Sequence, residues 1–251
     1  MERDTDIGGG QGHFPPTQRS AVLRTRDPDP EVRSLAFGAL VEGYWKPIYK
    51  YLRIKWRASN EEAKDLTQGF FTRAMEKGYF AKYDPTKASF RTYLRTCLDG
   101  FVANERKSAS RIKRAGELKI VSLDFALVEG ELKRHEPSDT ADVEAFFHQE
   151  WVRGLFGSAV DRLRERCESR GKLRQFELFE RYDLQAPSQG ERLTYADLAR
   201  EYDLPTTQVT NYLAYVRRQF RDIVLDTLRE MTGSEEEFRS EARDLLGVET
   251  P

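Results

Sequence analysis

The sequence predicts an all-α protein of two helical domains joined by a linker. Three observations lead there. Apolar residues recur at spacings near three and four along residues 32–114 and again along 151–231, the period of helices with one buried face. No stretch alternates apolar with polar residues as a half-buried strand does, and no internal repeat occurs. Between the two periodic regions, residues 115–150 are polar, acidic and proline-bearing, the composition of a connector.

Residues 1–31 hold GGGQG, FPP and DPDP without periodicity and read as a flexible arm. From Val32 the pattern turns helical, with Leu35, Leu40, Trp45, Ile48 and Leu52 on one face. Pro47 interrupts that run, so a kink or a break is expected there. Ser59-Asn60-Glu61-Glu62 reads as a helix start, a capping side chain followed by acids that complement the helix dipole. That helix buries Ala63, Leu66, Phe70 and Ala74 and ends near Gly78. An aromatic turn, residues 79–85, leads to a helix marked by Phe90, Leu94, Leu98 and Phe101. Within the connector, VSLDFAL can form a short element. A second unit starts near Trp151, with Leu155, Val160, Leu163, Cys167, Phe176 and Phe179 as its core. Thr194 is placed to cap a short helix, a turn follows at Asp203-Leu204-Pro205, and Thr206 opens a long helix. Two helices joined by so short a turn suit a DNA-binding helix-turn-helix, with a structural αα-hairpin as the alternative. Residues 232–251 form an acidic tail.

Composition excludes several classes. The 251 residues are 39% hydrophobic and 33% charged, enough apolar mass for packed cores and unlike collagenous or disordered chains. No apolar run approaches a membrane span and MERDTDIGGG is no secretory signal, so a cytoplasmic protein with no membrane partner is expected. Cys97 and Cys167 are too few for a disulfide framework and read as reduced core residues. His13, His135 and His148 show no metal-ligand spacing. No nucleophile–base pair or phosphate-cradling loop follows a strand, so neither a catalytic residue nor a cofactor is expected. The chain reads as a binding protein, not an enzyme.

The overall charge of −1 conceals segregation. Residues 44–114 carry 17 basic and 7 acidic side chains, residues 115–150 carry 3 and 9, and residues 231–251 carry 2 and 6. A basic segment with interleaved aromatics suits nucleic acid, cations meeting phosphates and rings stacking on unpaired bases. The same charges also suit a solvated helical surface. The tail, acidic against a strongly basic segment, suggests shielding of that basic surface.

Taken together, the segments resemble the bacterial sigma-70 family, in particular the short two-domain extracytoplasmic-function type. EAKDLTQGFF (residues 62–71) resembles the family's A-x-D-L-x-Q-x-x-F stretch, and SFRTYLRTCL (89–98) resembles S-F-R-x-W-L, with Tyr93 in place of tryptophan. LTYADLAREYDLPTTQVTNYLAYVRRQF is similar to the family's fourth region. The resemblance covers about residues 35–114 and 151–230 and rests on the order and spacing of these motifs.

The resemblance implies a region-2-like helical bundle that docks on core RNA polymerase and melts the −10 element, and a region-4-like domain that reads the −35 element of promoter DNA. It assigns Asp65, Leu66, Gln68 and Phe71 to polymerase binding. Tyr79, Phe80, Tyr83 and Tyr93 would stack on unpaired promoter bases, while Arg91, Arg95, Arg106, Lys107 and Arg111 would face phosphates. Thr206, Thr207, Gln208, Thr210, Asn211, Tyr212 and Tyr215 would read or line the −35 element, with Arg217, Arg218 and Arg221 on its backbone. Gly100 and Asn104 stand where the family usually shows Asn and Asp, and Thr210, Tyr212 and Tyr215 where it often shows Lys or Arg, so the promoter read should differ from the common one. An anti-sigma factor, or self-inhibition by the tail or linker, would complete the expected partners. Two rivals stay open: a helix-turn-helix regulator that binds duplex DNA without polymerase, and a helical scaffold or RNA-binding protein.

Overall fold

A computed structural model of the chain describes residues 20–108, 123–134, 142–185 and 193–247. Among the described residues it holds ten α-helices, short 3-10 and π turns, and no strand, as the periodicity predicts.

A short helix, α1 (Ala21–Arg24), is capped by Ser20. The 26-residue α2 (Pro30–Lys55) follows, with Asp29 accepting from the Glu31 N–H and Pro30 in the first turn, where its missing N–H costs no bond. The expected break at Pro47 does not occur: α2 runs through it, and Pro47 is buried. The residue four positions earlier, whose carbonyl the proline ring crowds, is Gly43. Tyr44, Trp45, Ile48 and Tyr49 around it are all buried, so packing holds the helix against the local penalty. The third helix, α3 (Asn60–Lys77), starts under the predicted Ser59 cap and stops at Gly78, whose φ of 60° closes it in the left-handed region. After a 3-10 turn at Phe80–Lys82 comes α4 (Phe90–Ser108).

Two segments depart from the linker and tail expectations. Part of the connector is helix α5 (Phe125–Arg134), and the long helix α6 (Val143–Ser169) begins eight positions before Trp151. Acidity there is spent on long-range pairing, not on solvation. Lys50 Nζ, on buried α2, donates to Glu150 at 2.5 Å and to Glu131 at 2.8 Å. Arg53 donates to Glu129 at 2.8 Å. Likewise the acidic tail contains α10 (Glu235–Leu246), capped by Ser234. Between lie α7 (Leu173–Phe179), a π turn, α8 (Tyr195–Glu201) and α9 (Thr206–Met231).

The helices share one continuous apolar core. Its most extensive contact sets α6 along α2, with Tyr51 edge-on to Phe147 at 5.4 Å and Tyr44 stacked on Trp151 at 6.4 Å. On its other side α6 packs on α9, which also carries α7, α8 and α10. Both cysteines are free, Cys167 buried and Cys97 half-buried, and burial raises the pKa of both thiols above the ordinary value.

Candidate polymerase and nucleic-acid interfaces

The α3 motif divides by face. Leu66 and Phe71 are buried, Phe71 edge-on to Phe37 at 6.4 Å, so these two hold the helix in the core. Asp65 and Gln68 point outward and, among the described residues, neither has a hydrogen-bond or ion-pair partner. Met75, seven positions after Gln68 and so nearly aligned with it, is 49% exposed. A carboxylate, an amide and a flexible thioether along one outer stripe can meet a basic and apolar partner together. Sequence reading passed over Met75 because a methionine at helical spacing looks like core.

The aromatic turn is folded inward. Phe80 stacks on Phe37 at 5.2 Å, and Tyr83 meets Phe90 edge-on at 5.2 Å. The Tyr83 hydroxyl donates to the Ala88 carbonyl at 2.8 Å and lies 3.3 Å from Glu237. Tyr93 donates to the carbonyl of Tyr79 at 2.8 Å, and both rings are half-buried. In this arrangement the rings close the α3–α4 connection, and buried Phe80 and Tyr83 are withdrawn from stacking.

Three of the five cations assigned to the −10 strand are paired with acids. Arg91 bonds Glu241 at 2.7 Å and lies over the Trp151 ring at 4.6 Å. Arg95 pairs with Glu144 at 2.7 Å, and Arg106 with Glu62 at 3.0 Å while donating to the Trp56 carbonyl. Lys107 is exposed, and Arg111 lies outside the described residues. His148 stacks on Trp151 at 6.1 Å beside Arg91, with its Nδ1 buried and unpartnered.

Burial, and secondarily the Arg91 charge, hold the His148 imidazole below the ordinary histidine value. As pH falls below about 6.5, the unfolded chain takes up this proton first, so folding stability drops until the folded pKa is passed. Urea unfolding at pH 7.5 and 5.5 should therefore show a larger loss for the wild type than for His148→Gln; equal losses would contradict this. Glu241 and Asp244 also face His148, and Glu237, whose pKa burial raises, is present in both proteins.

The helix-turn-helix is built by local chemistry. Thr194 and Asp197 form a reciprocal capping box on α8, and Asp203, at φ 48°, turns the chain before Pro205. Leu198, Val209, Leu213 and Val216 are buried between the two helices and the core. Thr206, Thr207, Thr210 and Asn211 are exposed on the first turns of α9. Gln208 donates to the Tyr212 hydroxyl at 2.5 Å, both half-buried. Arg217 is a clamp: it grips Asp183 at 2.8 Å, donates to Tyr195 at 2.9 Å, and its pKa is raised first by the Asp183 bond. Arg218 and Arg221 are exposed and, among the described residues, unpaired. Beside Tyr215, Lys172 sits 3.8 Å from the ring centroid with exposed Arg170 next to it, while Arg174 donates to the Tyr202 carbonyl. Bonds from Arg170 and Lys172 to the Tyr215 oxygen outweigh burial and lower its pKa. Arg170 and Lys172 enlarge the basic edge of α9. Their only sequence signal was the pair of bases just before α7.

Comparison with family models, curated proteins and solved structures returned no significant match.

Proposed function

We propose that this chain is an alternative sigma factor of the extracytoplasmic-function type, a cytoplasmic protein that binds bacterial core RNA polymerase and directs promoter recognition. The observation that carries the reading is the helix-turn-helix, whose second helix offers Thr206, Thr207, Thr210 and Asn211 outward, with Arg218 and Arg221 two to three turns farther along. Short hydroxyl and amide side chains at the start of a recognition helix suit base edges, and arginines farther along suit backbone phosphate. The outward Asp65 and Gln68 on α3 support a second, protein-directed face on the same chain. In this reading α2–α4 form the region-2-like unit and α7–α9 the region-4-like unit. The chain supplies no catalysis; the polymerase does the chemistry.

Initiation from a randomised promoter library, with core polymerase plus the full chain, tests the proposal. A two-block motif should be enriched over core alone, and no enrichment would sink the reading. Asn211→Ala should relax preference at one upstream position, by the ~1–3 kcal/mol typical of a good side-chain–base pair, with the downstream block unchanged. Preference unchanged at every position would remove Asn211 from base readout.

A further inference from the structure

The short acidic helix α10 is docked on the groups that the basic unit would need for a nucleic-acid strand. Phe238 and Ala242 on its inner face are buried, and Arg229 of α9 lies over the Phe238 ring at 4.1 Å. Its carboxylates reach across to the start of α4. Glu237 accepts from the Phe90 N–H at 2.9 Å and from the Gly233 N–H at 2.8 Å, and it meets the Tyr83 hydroxyl. One turn later, buried Glu241 takes the Arg91 guanidinium. Asp244, a further turn along, lines a cleft with Arg91, Arg95 and His148. A row of acids spaced i, i+4, i+7 thus lies against the start of α4 and its Arg91.

A carboxylate oxygen and a phosphate oxygen compete for the same donors, a backbone N–H at a helix start and an arginine fork. We propose that α10 is an intramolecular clasp whose Glu237 and Glu241 occupy the phosphate-contact face of α4, so that this face meets a single strand only when α10 lifts away. Which polyanion competes rests on the sigma reading, in which the strand is opened promoter DNA. The hinge is Thr232-Gly233-Ser234, between the end of α9 and the Ser234 cap. Gly233 is required there by close approach: a Cβ at this position would overlap the buried Tyr83 ring. Burial raises the Glu237 pKa even though three bonds oppose the shift, as expected of a carboxylate removed from water to make a specific contact.

A clasp closed 99 times in a hundred lowers apparent strand affinity about 100-fold. Two full-length variants open it by different means. Glu237→Gln/Glu241→Gln removes the charges but keeps the shape; Gly233→Ala keeps every charge and pushes against Tyr83. Binding to a fluorescein-labelled 20-nucleotide single strand at low salt should tighten roughly 10- to 100-fold in both. Amide exchange across α10 should accelerate in both. Glu235→Gln/Glu236→Gln, an equal charge change on exposed positions of the same helix, should move affinity less than about threefold. Faster α10 exchange without tighter strand binding would overturn the clasp. So would unchanged exchange in both variants, or an equal gain in the Glu235/Glu236 control. Core-polymerase binding is measured alongside on the wild type: its absence would refute the proposed function, while the strand-binding comparison would still decide the clasp.

Discussion

Replacing Asp65 and Gln68 together with alanine should weaken binding to core RNA polymerase about 30-fold or more, with the fold unchanged. Truncating a small hot-spot cluster costs on the order of 2–4 kcal/mol of binding, and each 1.4 kcal/mol is tenfold. Both side chains point to water with no partner among the described residues, so loss of either should change folding stability by no more than about 0.5 kcal/mol. Met75→Ala should add to the defect, since a half-exposed thioether on the same stripe gains most when a partner covers it. Leu66→Ala and Phe71→Ala are different: both are buried, and their loss should act through unfolding. Equilibrium titration against core polymerase, with urea melts of the same proteins, separates the two classes. Unchanged binding by the Asp65/Gln68 variant would remove α3 as the docking face.

The largest stability effect is expected at Lys50. This lysine is buried on α2 and is held between Glu131 of α5 and Glu150 of α6. Lys50→Met leaves Glu150, itself buried, with only its bond from the exposed Arg153. Breaking a buried pair by removing one partner costs about 3–5 kcal/mol, because an uncompensated charge stays in the interior. For a chain of this size that corresponds to roughly 6–20 °C in Tm. Glu131 is partly exposed and can return to water, so Glu131→Gln should cost under about 1 kcal/mol. Lys50→Met/Glu150→Met should recover most of the loss, since apolar replacement of a buried pair is often neutral or stabilising. Failure of the double variant to recover would mean that the Lys50–Glu150 pair itself stabilises the fold, beyond the cost of the charge left unpaired in the single variant.

Local signals made α3, α8 and the start of α9 legible in the sequence. Ser59 and Gly78 mark the ends of α3, and Thr194 with Asp197 marks the start of α8, because each cap is made within four residues. Pro47 was misleading, since its penalty is local while the packing that overrides it comes from helices far along the chain. The start of α6 and the order of α10 were hidden for a related reason. Glu150 and Glu237 read as linker and tail acids, yet their partners Lys50 and the Phe90 N–H lie 100 and 147 positions away. No window-based pattern carries such pairs. In the candidate site, the outward Asp65, Gln68, Thr210 and Asn211 follow from helical phase. Burial of Phe80 and Tyr83 does not, because a turn rich in aromatics can pack inward or face a ligand with the same residues. Arg217 was read as a phosphate contact; here it joins Asp183 and Tyr195, a clamp visible only once the π turn after α7 is in place.

The free chain has its basic unit covered at two points by later helices, Arg91 by Glu241 and Arg95 by Glu144, while Arg106 pairs with Glu62 within the unit. A protein so arranged would bind DNA poorly alone and would gain that ability on the polymerase. This ordering separates a sigma factor from an autonomous duplex binder, which recognises its operator without help. The most direct measurement is therefore equilibrium binding of the full wild-type chain to purified bacterial core RNA polymerase. Saturable one-to-one binding with Kd below about 1 µM, accompanied by promoter-selective initiation, is the result expected here. No binding at roughly ten times that concentration, by a chain that circular dichroism shows to be helical and that binds duplex DNA tightly alone, would contradict it.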